Sequence, residues 1–150
     1  MNTLVSKYAL IIALIFVSGC IRHNKDELVN KALQQTEKYY SYIQKDSIDA
    51  VISLFDSKFF AATGKAKFRD MLLDIRQRVG TIKKVELLKT VQTTERNMGI
   101  ESGYVVVSYK VIYNSGYVAS QEFEFDANDR QFELIDRWSF KEFHEEAPAP

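Results

Sequence analysis

The chain has 150 residues, with 20 Lys and Arg against 20 Asp and Glu, and 46% of its residues are hydrophobic. This balance of charge provides no basic surface of the kind that binds nucleic acid, so we expect no nucleic-acid partner. Ten Phe, eight Tyr and one Trp can fill an interior, which excludes a chain that is disordered over most of its length.

The N-terminal segment has the pattern of a secretory signal. Lys7 precedes an unbroken run of ten apolar residues, Tyr8 to Val17. A helix that spans a bilayer needs about 20 apolar residues, whereas the core of a signal peptide needs roughly 7 to 15. The length of the run therefore predicts a cleaved signal over residues 1–19. An uncleaved membrane anchor is the alternative.

Small residues and a cysteine follow the apolar run directly. Val17-Ser18-Gly19-Cys20 resembles the lipobox of bacterial lipoproteins. The resemblance implies that a peptidase cuts between Gly19 and Cys20, and that Cys20 carries a diacylglycerol and, in many species, a further acyl chain such as palmitate. Ile21, in place of the Asp that retains lipoproteins in the inner membrane, implies the periplasmic side of the outer membrane if the host is Gram-negative.

Cys20 is the only cysteine, so no internal disulfide is possible and the one thiol lies where lipidation needs it. A metal site of Cys20 with His23 is a poor alternative, because an alkylated sulfur is not a thiolate ligand. We predict no metal and no cofactor. The bilayer is the first expected partner, since two acyl chains hold a protein stably on a membrane. Residues 20–23 form a tether of on the order of 10 to 15 Å.

Three helices are predicted in the first part of the mature chain. Asn24 caps the first helix, and Asp46 or Ser47 caps the second, which frays near residues 61–64. Thr63 caps the third helix, which ends at Gly80. The apolar residues that recur at helical spacing are Val29, Leu33, Thr36, Tyr40 and Ile43, then Ile48, Val51, Ile52, Phe55 and Phe59, and then Phe68, Met71, Leu72, Ile75 and Val79.

After Gly80 the hydrophobic pattern alternates with a period of two, which indicates strands. The predicted strands are 82–93, 104–113, 117–125 and 131–141, with a long hairpin loop over Thr94 to Gly103 and a tight turn at Asn114-Ser115-Gly116. Helices followed by antiparallel strands predict one α+β domain over residues 24–143. Residues 144–150 are expected to be a disordered acidic and proline-containing tail.

The order of three helices and four strands resembles the nuclear-transport-factor-2-like superfamily, which includes the ketosteroid-isomerase-like and SnoaL-like proteins. The resemblance lies in Asp49-Ala50-Val51 in the second helix, Gly80 before the first strand and an aromatic last strand with Trp138. It implies that a curved sheet of about four strands wraps round the helices to form a cone with an apolar pocket. A cystatin-like arrangement of a helix on a sheet is the alternative.

Asp136 is the most informative polar residue. Strand alternation puts it on the inward face with Phe132, Leu134, Trp138 and Phe140, where a carboxylate must be paired or protonated. In the functional interpretation, Asp136 is an acid or base in a pocket. In the structural alternatives, either a bulge turns Asp136 outward or its carboxylate forms a hydrogen bond with a Tyr hydroxyl.

The predicted pocket also contains Tyr40, Tyr109 and Tyr113, and further tyrosines can line it with hydroxyls: Tyr39, Tyr42, Tyr104 and Tyr117. Aromatic stripes at these spacings are more often core. No residue is assigned a catalytic role.

One region of the sequence is rich in cations, which can face anionic lipid headgroups. Asp70 and Asp74 lie between them, so a face that meets only solvent is the alternative. The cations are Lys65, Lys67, Arg69, Arg76, Lys83 and Lys84.

Three roles fit these features. The first is a non-enzymatic, membrane-anchored module that binds an envelope protein or a small apolar ligand. The second is a pocket enzyme of ketosteroid-isomerase-like type that uses Asp136 and a Tyr. The third is an immunity or exclusion lipoprotein.

Overall fold

The computed structural model describes residues 25–97, 100–127 and 134–143. Within these ranges, four helices precede four strands. Their bounds are Lys25–Gln44 (α1), Ile48–Ile52 (α2), Ser57–Thr63 (α3), Lys65–Val79 (α4), Ile82–Asn97 (β1), Ile100–Tyr113 (β2), Val118–Asp126 (β3) and Arg137–Phe143 (β4). The predicted signal, the lipidated Cys20, the tether and the tail lie outside the described residues.

The strands form one antiparallel sheet in the order β1-β2-β3-β4, and the helices pack against it. The predicted α+β class is therefore confirmed. The alternation predicted for β2 is also confirmed, because Val105, Val107, Tyr109, Val111 and Tyr113 are all buried. Within the described ranges, no helix combines the length and the apolar composition that crossing a membrane requires.

The first helix is confirmed, but its buried face is rotated by about one residue from the predicted stripe. Leu28, Ala32 and Tyr39 are buried, together with Thr36 and Tyr40 from the predicted stripe. The other predicted members pack at the margin of the core and are only partly buried; they are Val29, Leu33 and Ile43. A wide apolar face allows either line of residues to point inward, and the contacts with the sheet select one of them.

The second predicted helix is divided into α2 and α3. Between them, Phe55 pairs with Ile135 in a parallel β-bridge. The Ile135 amide donates to the Leu54 carbonyl at 2.8 Å, and the Asp56 amide donates to the Ile135 carbonyl at 3.0 Å. These backbone groups are thereby removed from the helical ladder, so the helix stops and begins again at Ser57. Asp56 caps the new helix by accepting from the Lys58 amide at 2.6 Å.

The ends of α4 follow from backbone conformation at two glycines. Gly64, with φ of 79°, occupies the N-cap position that we predicted for Thr63, so that assignment is wrong. Gly80, with φ of 81°, ends the helix as predicted, because a residue without Cβ adopts this conformation without steric conflict. Four members of the predicted stripe of α4 are buried: Phe68, Leu72, Ile75 and Val79.

The predicted loop over Thr94 to Gly103 is wrong for most of its length. The backbone pairing of β1 with β2 continues from Thr94 opposite Gly103 to Asn97 opposite Ile100. Residues 98 and 99 lie outside the described part. The polar composition of this stretch suggested a loop, but backbone hydrogen bonds between paired strands do not require apolar side chains.

Candidate functional site

Three of the five predicted pocket residues take part in two separate groups of hydrogen bonds, one around Gln121 and one at Thr36. The Tyr40 hydroxyl donates to Oε1 of Gln121 at 3.1 Å, and Nε2 of Gln121 donates to the Tyr113 hydroxyl at 3.1 Å. The Tyr109 hydroxyl lies 2.5 Å from Oγ1 of Thr36. Either hydroxyl can be the donor in this contact, because the Thr36 hydroxyl has one hydrogen and also lies 2.8 Å from the Leu33 carbonyl.

Burial keeps these tyrosines protonated. Desolvation raises the pKa of Tyr40 far above its ordinary value and raises the pKa of Tyr113 to about 12. Desolvation also raises the pKa of Tyr109, although the hydrogen bond with Thr36 opposes the shift. At neutral pH these hydroxyls therefore act as hydrogen-bond donors or acceptors and not as bases.

A cavity of about 170 Å³ lies between the helices and the sheet. Tyr113 and Trp138 from the predicted set line it, whereas Tyr40 and Tyr109 do not. The side chains that surround it are apolar except at a few positions, and they come from α1, α2, α4 and all four strands. They include Tyr39, Ile43, Ile48, Leu72, Ile75, Ile82 and Gln121. Among these described lining residues there is no Asp, Glu or His.

Tyr39 takes the place in the cavity wall that was predicted for its neighbour Tyr40. The rotated face of α1 brings the Tyr39 ring to 4.9 Å from Phe123 and 6.5 Å from Trp138, measured between ring centroids. Burial raises the pKa of Tyr39 well above its ordinary value, and proximity to Tyr113 adds to the shift. The sequence contained the signal for Tyr39, since aromatic residues occur at both positions.

Trp138 separates the cavity from a second, open recess. Its indole ring stacks on Phe140 at 6.0 Å and meets Phe68 edge-on at 5.6 Å. The Nε1 atom is shielded from solvent and makes no hydrogen bond within the described residues. An unpaired donor in such a position typically costs about 1 to 3 kcal/mol.

The open recess is a groove of about 670 Å³ on the other side of Trp138. Its aromatic wall is formed by Phe59, Tyr104 and Trp138. Charged side chains of both signs complete the lining: Lys58, Glu124, Asp126, Asp136 and Arg137. Arg137 and Glu124 form an ion pair at 3.5 Å, so part of this charge is compensated locally.

Asp136 lies in this groove and not on the inward face of a strand, which corrects the prediction from alternation. β4 begins at Arg137, and Ile135 is the fully buried residue because its backbone pairs with Leu54 and Asp56. This pairing breaks the alternation before Asp136. Leu134 is partly buried, and Phe132 lies outside the described residues.

The carboxylate of Asp136 is engaged by backbone. Its Oδ2 accepts from the Asp126 amide at 2.6 Å, and the Asp136 amide donates to the Glu124 carbonyl at 2.9 Å. Burial raises the pKa of Asp136, the carboxylates of Asp126 and Asp56 raise it further, and the hydrogen bond from the Asp126 amide and the charge of Lys58 oppose the shift. Asp136 shares the groove with Tyr104, but no hydrogen bond joins the two side chains.

Three of the six cations in the basic region of the sequence are paired with acids. Arg69 pairs with Asp49 and Arg76 with Asp46, and the ammonium of Lys84 lies 2.5 Å from Glu86. No group of three metal-binding side chains occurs among the residues that the structure describes.

Comparison with protein-family profiles gives no match, and comparison with curated protein sequences gives none either. The solved structure of Bd1075 from Bdellovibrio bacteriovorus has a similar fold, with a TM-score of 0.51 at 10% sequence identity. The similarity covers 78% of this chain and 41% of the Bd1075 chain, so this chain matches less than half of that protein. At this identity the likeness concerns the fold alone.

Proposed function

We propose that the protein is a lipid-anchored envelope protein whose α+β domain binds a small apolar ligand near the membrane surface without catalysing a reaction on it. The anchor rests on the Val17-Ser18-Gly19-Cys20 motif and the short apolar run before it. The nuclear-transport-factor-2-like cone is part of the same proposal. Helices packed on a four-stranded antiparallel sheet, with a cavity between the two layers, support it.

The observation that carries the binding function is the cavity itself. Its volume of about 170 Å³ is close to that of engineered apolar cavities of about 150 Å³ that bind benzene. Well-packed interiors contain few voids larger than a water molecule, so a space of this size next to Leu72 and Ile75 needs a reason. An apolar ligand would fill it and restore the missing contacts.

The chemistry of the wall favours binding over catalysis. A general base must have a pKa near the working pH, and the described wall contains neither a carboxylate nor an imidazole. Its tyrosines are protonated at neutral pH, where a phenol with the ordinary pKa of about 10 already holds its proton, and burial raises their pKa further. The wall can therefore hold a molecule but has no group that would take a proton from it.

The test uses toluene as a probe of the cavity. Toluene at millimolar concentration should raise the melting temperature of the full-length protein, because a ligand that binds only the folded state stabilises it. Ile75→Phe, which adds volume at the cavity wall, should abolish this rise, and Leu73→Phe, on the exposed side of the same helix, should preserve it. A wild-type melting temperature that does not respond to toluene would refute the proposal.

A pocket enzyme of ketosteroid-isomerase-like type is the second candidate, and it would use the groove. The favourable observation is that Asp136, with its raised pKa, lines the same recess as Tyr104. The hydrogen bond from the Asp126 amide to Asp136 supports a structural role instead. Turnover of a ketosteroid that Asp136→Asn abolishes, and that Asp70→Asn, at an exposed carboxylate outside the groove, retains, would favour the enzyme.

A further inference from the structure

The hydrogen bonds around the cavity leave polar groups unused. Tyr39 is 2% exposed and lines the cavity, and its hydroxyl forms no hydrogen bond within the described residues. Among the described residues, Trp138 Nε1 is the fully enclosed side-chain polar atom without a partner, so the Tyr39 hydroxyl is not sealed off and can be reached by a molecule in the cavity. The neighbouring Tyr40 shows the ordinary arrangement, since its hydroxyl donates to Gln121.

Tyr113 has an unused hydrogen in the same wall. Its hydroxyl accepts from Nε2 of Gln121 at 3.1 Å. A tyrosine hydroxyl has one hydrogen to donate, and none of the described residues accepts it. Tyr113 and Tyr39 line the same cavity. Two donors from α1 and β2 therefore border one small cavity.

Trp138 has an unused donor next to the wall, but its Nε1 atom is too enclosed to meet a ligand in the cavity. Its Nε1 atom has no partner and is shielded from solvent, so bulk water does not satisfy it. Tryptophan nitrogen can only donate. The unused groups thus have the same requirement, which is an acceptor.

We infer that the ligand of this cavity is a small apolar molecule that carries one hydrogen-bond-accepting oxygen, held by the hydroxyls of Tyr39 and Tyr113. A carbonyl oxygen meets this requirement because it offers two lone pairs to two donors and donates none. The apolar part lies against Ile48, Leu72 and Ile75. This inference rests on the proposed function, since it assigns the chemistry of the ligand at the same site.

The experiment compares two probes of nearly equal shape. Cyclohexanone has an acceptor oxygen where methylenecyclohexane has a CH₂ group, so the pair isolates the effect of the acceptor. The full chain, labelled with ¹⁵N at tryptophan and held in phospholipid nanodiscs, gives one indole signal because Trp138 is the only Trp. Titration of that signal measures both affinities, and empty nanodiscs measure partition into the lipid.

We expect cyclohexanone to bind more tightly, by about 2-fold to 13-fold for each hydrogen bond it forms. Tyr39→Phe and Tyr113→Phe should each reduce this preference, and the double variant should remove it. Binding of methylenecyclohexane should stay the same in all of them. Tyr109→Phe is the matched control, because the Tyr109 hydroxyl bonds to Thr36 and does not line the cavity.

The possible failures are distinct. If both probes bind the wild type with equal affinity, the cavity is a ligand site but the acceptor inference is wrong. If the preference survives in the double variant, the tyrosines do not hold the oxygen and the inference is also wrong. If neither probe binds, the proposed function fails together with the inference.

Discussion

Asp136 Oδ2 accepts a hydrogen bond from the backbone amide of Asp126 at 2.6 Å, which ties the end of β3 to the residue before β4. The hydrogen bond therefore joins the two ends of the connection between β3 and β4. The same residue lines the open groove, so its protonation affects both the strand connection and the charge of the groove.

The first prediction concerns the pH dependence of stability. The pKa of Asp136 in the folded protein is raised above its ordinary value of 3.8, so the folded state binds more protons than the unfolded state between the two values. Stability from this group is therefore present below pH 3.8 and is lost as the pH rises through the folded pKa. The free energy of unfolding of the wild type, measured in urea, should fall with rising pH relative to that of Asp136→Asn. A difference that is constant or grows with pH would contradict the raised pKa.

The second prediction concerns the unpaired nitrogen of Trp138. Trp138→Ala should lower the free energy of unfolding by about 3 kcal/mol, the lower end of the range for aromatic truncation, because the ring is only partly buried. Trp138→Phe should cost much less, since it keeps the contacts with Phe68 and Phe140 and removes the unpaired donor. Denaturant unfolding of both variants measures this. A loss in Trp138→Phe as large as that in Trp138→Ala would contradict the prediction.

The third prediction concerns the buried amide that links two tyrosines. Gln121→Leu should lower the free energy of unfolding by about 1 to 3 kcal/mol, because it leaves the Tyr40 hydroxyl without its acceptor. Tyr40→Phe in the same chain should recover part of the loss. Additive effects in the double-variant cycle would mean that no hydrogen bond joins Tyr40 to Gln121.

The fourth prediction concerns the start of α3. Asp56→Ala should lower the free energy of unfolding by about 1 kcal/mol, because the carboxylate caps the Lys58 amide at 2.6 Å. Ser47→Ala is the control, since Ser47 occupies the N-cap position of α2 without a side-chain capping bond. Thermal and urea unfolding should separate the two variants, and equal effects would rule out the cap as the cause.

The fifth prediction concerns the anchor. Cys20→Ser should abolish incorporation of labelled fatty acid and should leave an unprocessed or soluble chain, because the serine oxygen is not the sulfur that lipidation requires. Fractionation after a carbonate wash, with metabolic labelling, measures both effects. If the wild type incorporates no fatty acid and the variant remains with the membranes, residues 1–20 act as an uncleaved anchor.

The alternation of Val105, Val107 and Tyr109 predicted the inward face of β2 correctly, because successive side chains along a strand point to opposite faces of the sheet. The break between α2 and α3 could not be predicted in this way. It depends on Ile135, which is 80 positions away from Phe55 in the chain. The position of Asp136 was wrong for the same reason, since the pairing of Ile135 with the helical segment interrupts the alternation.

The candidate site was predictable in its residue types but not in its arrangement. Tyr113 and Trp138 line the cavity as expected, whereas Tyr39 replaces Tyr40. The choice between adjacent tyrosines on a helix depends on a rotation of about 100° per residue, which helical periodicity alone does not resolve when both faces are apolar. Gln121 was missed although it shares the inward alternation of Phe123 and Phe125.

The bridge between Phe55 and Ile135 also has a consequence for biosynthesis. A chain made from its N-terminus completes α1 and α2 well before Ile135 leaves the ribosome, so the backbone groups of Leu54 and Asp56 have no partner during that interval. Contacts between distant positions require closure of a long loop, which slows folding. The helical layer therefore reaches its final form only after Ile135 has been synthesised, and a chain truncated before Ile135 should lack the native connection between α2 and α3.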